Sequence, residues 1–256
     1  VSVFRPSSGI WYLLNSASGF AAFQFGVAAD KLVPADYDGD GKTDAAVYRS
    51  GVWYLQRSQL GFIGIAFGAA DDIPVPADYD GDGKSDVAVF RQSNGTWYLL
   101  QSTNGFAEIR FGLGTDKPVP ADYDGDGRAN VAVFRPSNGT WYTSTNPAIN
   151  YGAVLFGTAE DKPVPADYDG DGKSDVAVFR PSNGTWYLNR SQLGFTGIAF
   201  GFGNDLPTPA DYDGDGKADV AVFRSGIWYL QRMTAGFTGI SFGAAGDKPV
   251  PSALVP

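Results

Sequence analysis

Five short segments of the chain concentrate aspartate at alternating positions. Each follows the pattern D-x-D-x-D-G-x-x-D, and the second runs from Asp78 to Asp86. Alternate side chains of a tightly turned loop converge on one point, and glycine permits the turn. Clustered hard oxygen ligands suit Ca²⁺, which takes about 6–8 of them in a flexible geometry, better than Mg²⁺, which keeps several waters. The pattern therefore predicts about five calcium sites.

The predicted ligands are the side chains at positions 1, 3, 5 and 9 and the main-chain carbonyl at position 7. They are Asp36, Asp38, Asp40, Lys42 and Asp44 (loop 1); Asp78, Asp80, Asp82, Lys84 and Asp86 (loop 2); Asp122, Asp124, Asp126, Arg128 and Asn130 (loop 3); Asp167, Asp169, Asp171, Lys173 and Asp175 (loop 4); and Asp211, Asp213, Asp215, Lys217 and Asp219 (loop 5). Loop 3 has Asn130 in place of the carboxylate at position 9, so we expect it to bind calcium more weakly. The first half of each loop matches an EF-hand loop, but no glutamate stands at position 12.

Without a cation these loops would be costly. Two unit charges about 5 Å apart repel by roughly 3 kcal/mol at an effective dielectric constant near 20. The loops hold 19 of the 28 acidic residues, and the formal net charge is −9. Five Ca²⁺ ions would bring that charge to about +1. Most of the acidic residues are therefore explained as metal ligands. The alternative, a solvated turn rich in Asp and Gly that binds no metal, is disfavoured because the pattern recurs in five copies in register.

The loops belong to a longer repeat, because their first aspartates follow one another at steps of 42 to 45 residues. The segments "VFR" or "VYR", "WY" and "FG" each recur six times at similar steps. Units of about 40–45 residues with four short strands are typical of β-propeller blades. The chain begins at the second strand of a unit and ends with a lone first strand, "DKPVPSALVP". We therefore predict an all-β fold, one six-bladed β-propeller domain of four-stranded antiparallel blades over residues 1–256. The C-terminal strand should join the N-terminal blade; an open solenoid is the alternative.

Within the unit that contains loop 4, "PVPAD", "DVAVFR", "TWYL" and "GIAFG" are predicted as the four strands. In the second strand Val176 and Val178 face one way and Ala177 and Phe179 the other, so both faces should be covered. The Asn-Gly pair in "SNGTW" predicts a hairpin. Helix should be nearly absent, because no segment has a helical period with caps.

Other repeated side chains have a structural and a functional interpretation. The tryptophans of the six "WY" pairs either pack between blades or form a ring of sugar-stacking aromatics. These candidate ligand-binding residues are Trp11, Trp53, Trp97, Trp141, Trp186 and Trp228. The arginine that ends each second strand, and the aspartate before each first strand, either staple neighbouring blades or form polar ligand sites.

Composition narrows the possible functions. Histidine and cysteine are both absent, which removes the commonest general base and any disulfide framework. No apolar run approaches 18 residues and the opening "VSVFRP" is no signal peptide, so we expect no membrane insertion and a mature or excised fragment. The negative charge disfavours nucleic acid as a partner. No unique polar cluster breaks the sixfold pattern, so we expect a protein that is not an enzyme. We also expect a monomer.

The segment "PVPADYDGDGKSDVAVFRPSNGTWY" resembles the FG-GAP/VCBS repeat family, which includes the integrin α-subunit propeller. The similarity extends over essentially all 256 residues. It implies a calcium-stabilised propeller with the metal between the first and second strands of a blade. Some fungal lectins use a similar propeller to bind sugars between blades. Integrin propellers have seven blades whereas six are counted here, and the "GAP" element is not kept.

Two functions follow as expectations. The first is a calcium-binding extracellular recognition module, lectin-like, that binds glycans at several equivalent sites. Extracellular calcium modules bind at around 10⁻⁴–10⁻³ M, so the location should be secreted, cell surface or periplasmic. The alternative is a structural or protein–protein interaction module of a surface protein, or a designed repeat scaffold, with calcium purely stabilising. The expected partner is a glycan or a protein ligand.

Overall fold

The computed structural model describes residues 1–16, 18–146 and 150–250, and in these ranges the chain forms strands and turns but no helix. The strands make six four-stranded antiparallel sheets, which confirms the predicted six-bladed β-propeller. The Cα positions group into two compact units, Val1–Ala29 with Glu160–Pro256, and Asp30–Ala159. That residues 1–256 form a single domain stays a prediction. In the same ranges no helix combines the length and hydropathy needed to cross a membrane.

The first unit contains blades 1, 5 and 6. Blade 1 is β24 (Lys248–Val250), β1 (Ser2–Arg5), β2 (Ile10–Asn15) and β3 (Gly19–Gln24); blade 5 is β16 (Lys162–Pro163), β17 (Val176–Arg180), β18 (Thr185–Arg190) and β19 (Gly194–Ala199); blade 6 is β20 (Leu206–Pro207), β21 (Val220–Arg224), β22 (Ile227–Arg232) and β23 (Gly236–Ser241). Strand β24 pairs antiparallel with β1, with Ser2 opposite Val250. The prediction that the C-terminal strand completes the N-terminal blade is therefore confirmed.

The second unit contains blades 2, 3 and 4. Blade 2 is β4 (Lys31–Leu32), β5 (Ala45–Arg49), β6 (Val52–Arg57) and β7 (Gly61–Ala66); blade 3 is β8 (Ile73–Pro74), β9 (Val87–Arg91), β10 (Thr96–Gln101) and β11 (Gly105–Arg110); blade 4 is β12 (Lys117–Pro118), β13 (Val131–Arg135), β14 (Thr140–Asn146) and β15 (Asn150–Leu155). In each of these three blades the sequence order of the four strands is also their order across the sheet.

The second strand of each blade is buried on both faces. Four of these strands, β9, β13, β17 and β21, share the sequence VAVFR. Valine and phenylalanine favour extended backbone, and their side chains alternate between the two faces. In β17 the side chains from Val176 to Phe179 are all buried, as predicted.

The hairpins between second and third strands follow from local turn chemistry. In blade 3 the Asn94 side chain accepts the Thr96 N–H at 3.1 Å, and Gly95 takes a positive φ of 65°. In blade 2 the turn is shorter, and Ser50 and Gly51 have φ values of 49° and 86°. Two successive positive φ values are the geometry of a type I′ turn. The predicted hairpins are thus confirmed.

The first and fourth strands of blade 5 differ most from the prediction, and the third extends two residues beyond it to Arg190. The first strand of blade 5 is only Lys162–Pro163 instead of "PVPAD", since beyond it the pairing continues only through the Val164 N–H bond to the Ala177 carbonyl and an isolated bridge between Ala166 and Asp175. The fourth strand begins earlier than "GIAFG" and ends before the Phe-Gly pair. Each such phenylalanine instead donates its N–H to the hairpin glycine of its own blade.

The core lies between neighbouring blades of each unit. In the second unit Trp53 and Leu55 of blade 2 pack in one cluster with Val87 and Val89 of blade 3. Every tryptophan is fully buried, with 0% exposure, and its indole N–H donates to the carbonyl of the phenylalanine in "FG" at 2.8–3.0 Å. The predicted sugar-stacking role is therefore wrong, because no ring face reaches solvent. It applied to Trp11, Trp53, Trp97, Trp141, Trp186 and Trp228, all of which serve packing.

Candidate metal centres

Each aspartate loop lies between the first and second strands of its blade, in blades 2 to 6. The two glycines of every loop have positive φ values of 77° to 84°, which only glycine adopts without strain. In loop 2 the carboxylate of Asp78 accepts the N–H of Gly81 at 2.6 Å and that of Gly83 at 2.8 Å. The aspartate at position 1 therefore shapes the turn that brings the other aspartates together.

Three carboxylates of each loop converge, whereas the full predicted ligand set, with the main-chain carbonyl at position 7, stays a prediction. In loops 2, 4 and 5 oxygen atoms from positions 1, 3 and 9 lie within 4.8 Å of one another, and in loops 1 and 3 the converging residues are at positions 1, 3 and 5. Each group could hold a metal ion. The converging residues are Asp36, Asp38 and Asp40; Asp78, Asp80 and Asp86; Asp122, Asp124 and Asp126; Asp167, Asp169 and Asp175; Asp211, Asp213 and Asp219.

The aspartate at position 3 has an orphaned oxygen in all five loops. Oδ1 of this residue is buried and accepts no hydrogen bond in Asp38, Asp80, Asp124, Asp169 and Asp213. Asp80 and Asp169 are only 6% exposed. A buried acceptor without a partner costs about 1–3 kcal/mol, and more when it is charged. A cation would supply the missing partner, and a donor set made only of carboxylate and carbonyl oxygens fits calcium.

The turn between the third and fourth strands closes over the loop, a contact that sequence reasoning missed. In loop 2 the hydroxyls of Ser102 and Thr103 donate to Asp82 Oδ2 at 2.6 and 2.7 Å. The N–H groups of Thr103 and Asn104 donate to Oδ2 of Asp80 at 2.9 and 3.0 Å. Loops 1, 4 and 5 receive equivalent hydroxyl bonds from Ser58, Ser191 and Thr234. A serine or threonine recurs about 20 residues after position 5, and this recurrence could have predicted the contact from sequence.

Loop 3 keeps the shape of the others while losing one charge. Asn130 Oδ1 accepts the Tyr123 N–H at 2.8 Å, and in loop 2 Asp86 accepts the Tyr79 N–H at 2.9 Å in the same way. The asparagine thus preserves the contact that folds the loop. That loop 3 binds calcium more weakly stays a prediction.

Ionisation of the aspartates differs by position. Burial, with added repulsion from neighbouring carboxylates, raises the pKa of Asp86 and of Asp175 to about 6. Hydroxyl hydrogen bonds lower the pKa of Asp82 and of Asp171 below the ordinary value for aspartate. The aspartate at position 9 is therefore harder to ionise than an ordinary aspartate, and the aspartate at position 5 is easier to ionise.

We expect the metal-free protein to become more stable as the pH falls from 7 to about 4. The folded state binds protons at Asp86 and Asp175 more tightly than the unfolded chain does, so their ionisation above about pH 6 opposes folding. Below about pH 4 the trend reverses, because Asp82 and Asp171 then take up protons more readily in the unfolded chain. Urea unfolding of calcium-free protein across this pH range measures the effect.

The matched control combines Asp86→Asn with Asp175→Asn, which should flatten the profile between about pH 4 and 6. Asparagine fits this position, as Asn130 shows. A wild-type stability that is constant or falls between pH 7 and 4 would contradict the expectation.

An arginine–aspartate pair lies at the opposite end of every blade. In blade 3 Arg91 donates two hydrogen bonds to Asp72, at 2.9 and 2.8 Å, and its guanidinium lies 4.4 Å from the ring centroid of Tyr98. Asp72 lies in the connection from blade 2, directly before β8, so the pair ties this connection to the second strand of blade 3. Asp72 also accepts the Ala69 N–H at 2.8 Å, which holds the connection from blade 2. The six pairs are Arg5–Asp247, Arg49–Asp30, Arg91–Asp72, Arg135–Asp116, Arg180–Asp161 and Arg224–Asp205.

The second residue of each fourth strand is an exposed aromatic. The six side chains are 59–68% exposed, whereas the tryptophans of the third strands are buried. Phe106, for example, lies edge-on to Phe67 of the preceding blade, with the two ring centroids 6.3 Å apart. The exposed aromatics are Phe20, Phe62, Phe106, Tyr151, Phe195 and Phe237.

Solved structures share this fold at low sequence identity. An Agrocybe aegerita lectin that recognises non-reducing terminal N-acetylglucosamine is 16% identical, with a TM-score of 0.60 over 93% of this chain and 74% of the lectin. A catalytically inactive histidine-to-alanine variant of virginiamycin B lyase from Staphylococcus aureus is 9% identical, with a TM-score of 0.60 over 91% of this chain and 78% of the lyase. BBS1N in complex with ARL6DN is 10% identical, with a TM-score of 0.57 over 95% of this chain and 78% of BBS1N.

Sequence comparison identifies the repeat itself. No curated protein matches the chain in sequence. The model of the FG-GAP-like repeat matches residues 78–133, 122–178 and 167–222, which together span more than half of the chain. These segments contain loops 2 to 5, each lying between the first and second strands of a blade. The chain therefore belongs to the FG-GAP-like repeat family.

Proposed function

We propose that this protein is a calcium-binding recognition module that works outside the cytosol and binds glycans at several equivalent sites. The observation that carries the calcium part is the orphaned buried oxygen at position 3, repeated in five loops. Carboxylates at positions 1, 3 and 5, the side chain at position 9 (a carboxylate except for Asn130 in loop 3) and the carbonyl at position 7 would hold each ion. The ion would supply positive charge that fixes the loop against the turn between the third and fourth strands.

The location follows from the expected affinity. Carboxylate-rich extracellular modules bind calcium at around 10⁻⁴–10⁻³ M, and such sites fill only where calcium is millimolar. We therefore place the protein in the secreted, cell-surface or periplasmic compartment. A dissociation constant below about 1 μM, measured by isothermal titration calorimetry, would remove the basis for this assignment.

The glycan part is supported by the exposed aromatic of each fourth strand. An exposed ring offers a flat apolar face, on which the C–H face of a pyranose can stack. One such ring per blade would give several weak sites whose avidity exceeds the affinity of any one. The Agrocybe aegerita lectin, which has a similar fold and recognises non-reducing terminal N-acetylglucosamine, supports the proposal by analogy. The six rings replace the buried tryptophans as the proposed contact residues.

A glycan array probed in millimolar calcium and in chelator tests this function. We expect calcium-dependent binding, which should fall about 100-fold or more when all six exposed aromatics are replaced by serine, because avidity is lost with the sites. The matched control is Leu113→Ser, which changes a side chain that is also exposed but lies outside these strands. Unchanged glycan binding in the sixfold variant would contradict the assignment of the rings.

A protein-binding module is the second candidate, favoured by the complex of BBS1N with ARL6DN. Folded protein that binds no glycan on the array in calcium would support this alternative. Our proposal includes no catalytic activity, although the lyase neighbours share the fold. Release of unsaturated sugar products, detected by ultraviolet absorbance, would overturn that part.

A further inference from the structure

Neighbouring aspartate loops within a unit are joined by a backbone hydrogen bond. The N–H of Ser85, at position 8 of loop 2, donates to the carbonyl of Asp36, at position 1 of loop 1, at 2.6 Å. Ala129 makes the same 2.6 Å bond to Asp78, which links loop 3 to loop 2. In the other unit Ala218 bonds to the carbonyl of Asp167 at 2.6 Å and links loop 5 to loop 4.

The side chain at position 7 reinforces the same junction. Lys84 of loop 2 lies over Gly39 of loop 1, so closely that a Cβ on this glycine would be 3.0 Å from Lys84 Cγ. Arg128 lies over Gly81 and Lys217 over Gly170 in the same manner, at 3.0 and 3.1 Å. Loops 1, 2 and 4 are therefore each packed, through the glycine at position 4, against the loop that follows in the same unit.

One peptide group thus belongs to two candidate centres. The peptide between Lys84 and Ser85 carries the position 7 carbonyl, a predicted ligand of loop 2, and the N–H that holds Asp36, a predicted ligand residue of loop 1. A cation at the carbonyl oxygen polarises the peptide and strengthens its N–H as a donor. Ordering of loop 1 in turn fixes the acceptor and thereby the peptide of loop 2.

We propose that the loops of one unit bind calcium cooperatively, with the peptide between positions 7 and 8 as the link. The inference rests on the calcium binding proposed above. Within the units, this link joins loops 1, 2 and 3 to one another and loop 4 to loop 5. Coupling between sites is reciprocal, so emptying loop 2 weakens calcium binding at loops 1 and 3 by the same factors by which those loops support loop 2.

Hydrogen exchange followed by mass spectrometry during a Ca²⁺ titration measures each loop separately. We expect Asp80→Asn combined with Asp82→Asn to raise the calcium midpoint of loops 1 and 3 about fivefold or more, the lower range of typical coupling. The companion variant, Asp213→Asn combined with Asp215→Asn, should raise the calcium midpoint of loop 4 in the same way, because Ala218 links loop 5 to loop 4.

Unchanged midpoints at loops 1 and 3 would overturn the coupling. If the loop 2 variant loses protection from hydrogen exchange throughout its blade, the variant is misfolded there, and the titration of the wild-type protein tests the coupling instead. Coupled loops give Hill coefficients above 1, and coefficients of 1 would overturn the proposal. A lack of calcium-dependent protection in every wild-type loop would instead overturn calcium binding itself, and the coupling with it.

Discussion

Removal of calcium is expected to cost this protein roughly 7 kcal/mol of unfolding free energy. At ten times its dissociation constant, calcium adds about 1.4 kcal/mol per site by mass action, and five sites sum to a value comparable with the whole stability of a domain. The structural reason is the buried, unpartnered oxygen of Asp80 and its four counterparts. For a chain of this size the loss corresponds to a fall in melting temperature of about 15–25 °C.

Scanning calorimetry in millimolar calcium and in chelator measures this difference. Magnesium at the same concentration is the ion control and should restore little of the stability, because it prefers few carboxylates and several waters. Asp80→Asn is the matched variant. It should remove about one site's share of the calcium-dependent stability, together with any stability that loop 2 contributes through its coupling to loops 1 and 3. Equal melting temperatures with and without calcium would refute calcium as a stabilising ligand.

Replacement of Trp97 by alanine is expected to destabilise the protein by about 3–5 kcal/mol, the range for deleting a buried aromatic. The ring is fully buried between blades 3 and 4, its centroid lies 5.3 Å from that of Phe90, and its N–H bonds to the Phe111 carbonyl at 2.8 Å. Urea unfolding of the wild type and the variant measures the change. The structure predicts no specific loss of glycan binding at conditions where the variant is folded.

Two companion variants make the result interpretable. Trp97→Phe keeps most of the volume and should cost less than Trp97→Ala. Phe106→Ala changes an exposed ring and should leave stability nearly unchanged. If Trp97→Ala kept full stability yet lost glycan binding, the assignment of this tryptophan to packing would be wrong.

The repeat made most of the architecture predictable from sequence. Six recurrences of "WY" and "FG" gave the blade count, and the position of the lone first strand gave the pairing of β24 with β1. The aspartate spacing located the candidate centres, since ligands within nine residues need no tertiary information. These features are local, and each was present in five or six copies.

Features that depend on orientation or on distant contacts were not predictable. Tryptophan and tyrosine alternate on a strand with apolar residues on both faces, so the pattern could not show which ring is buried. Ser102 contacts Asp82 from 20 residues away, through a turn whose sequence varies between blades. The sequence indicated that Arg91 and Asp72 pair. Which parts of the fold the pair joins depends on how the connection from blade 2 enters the sheet, and this was not predictable.

The four identical VAVFR strands carry a consequence for assembly. Because β9, β13, β17 and β21 present the same side chains, none of them alone specifies the blade to which it belongs. Correct pairing must come from the short connections on either side, which keep each strand beside its own hairpin. Before those connections have folded, the equivalent strand of another blade, or of another molecule, can pair in the same place. The chain is therefore exposed during refolding to strand exchange and domain-swapped oligomers, more so as its concentration rises.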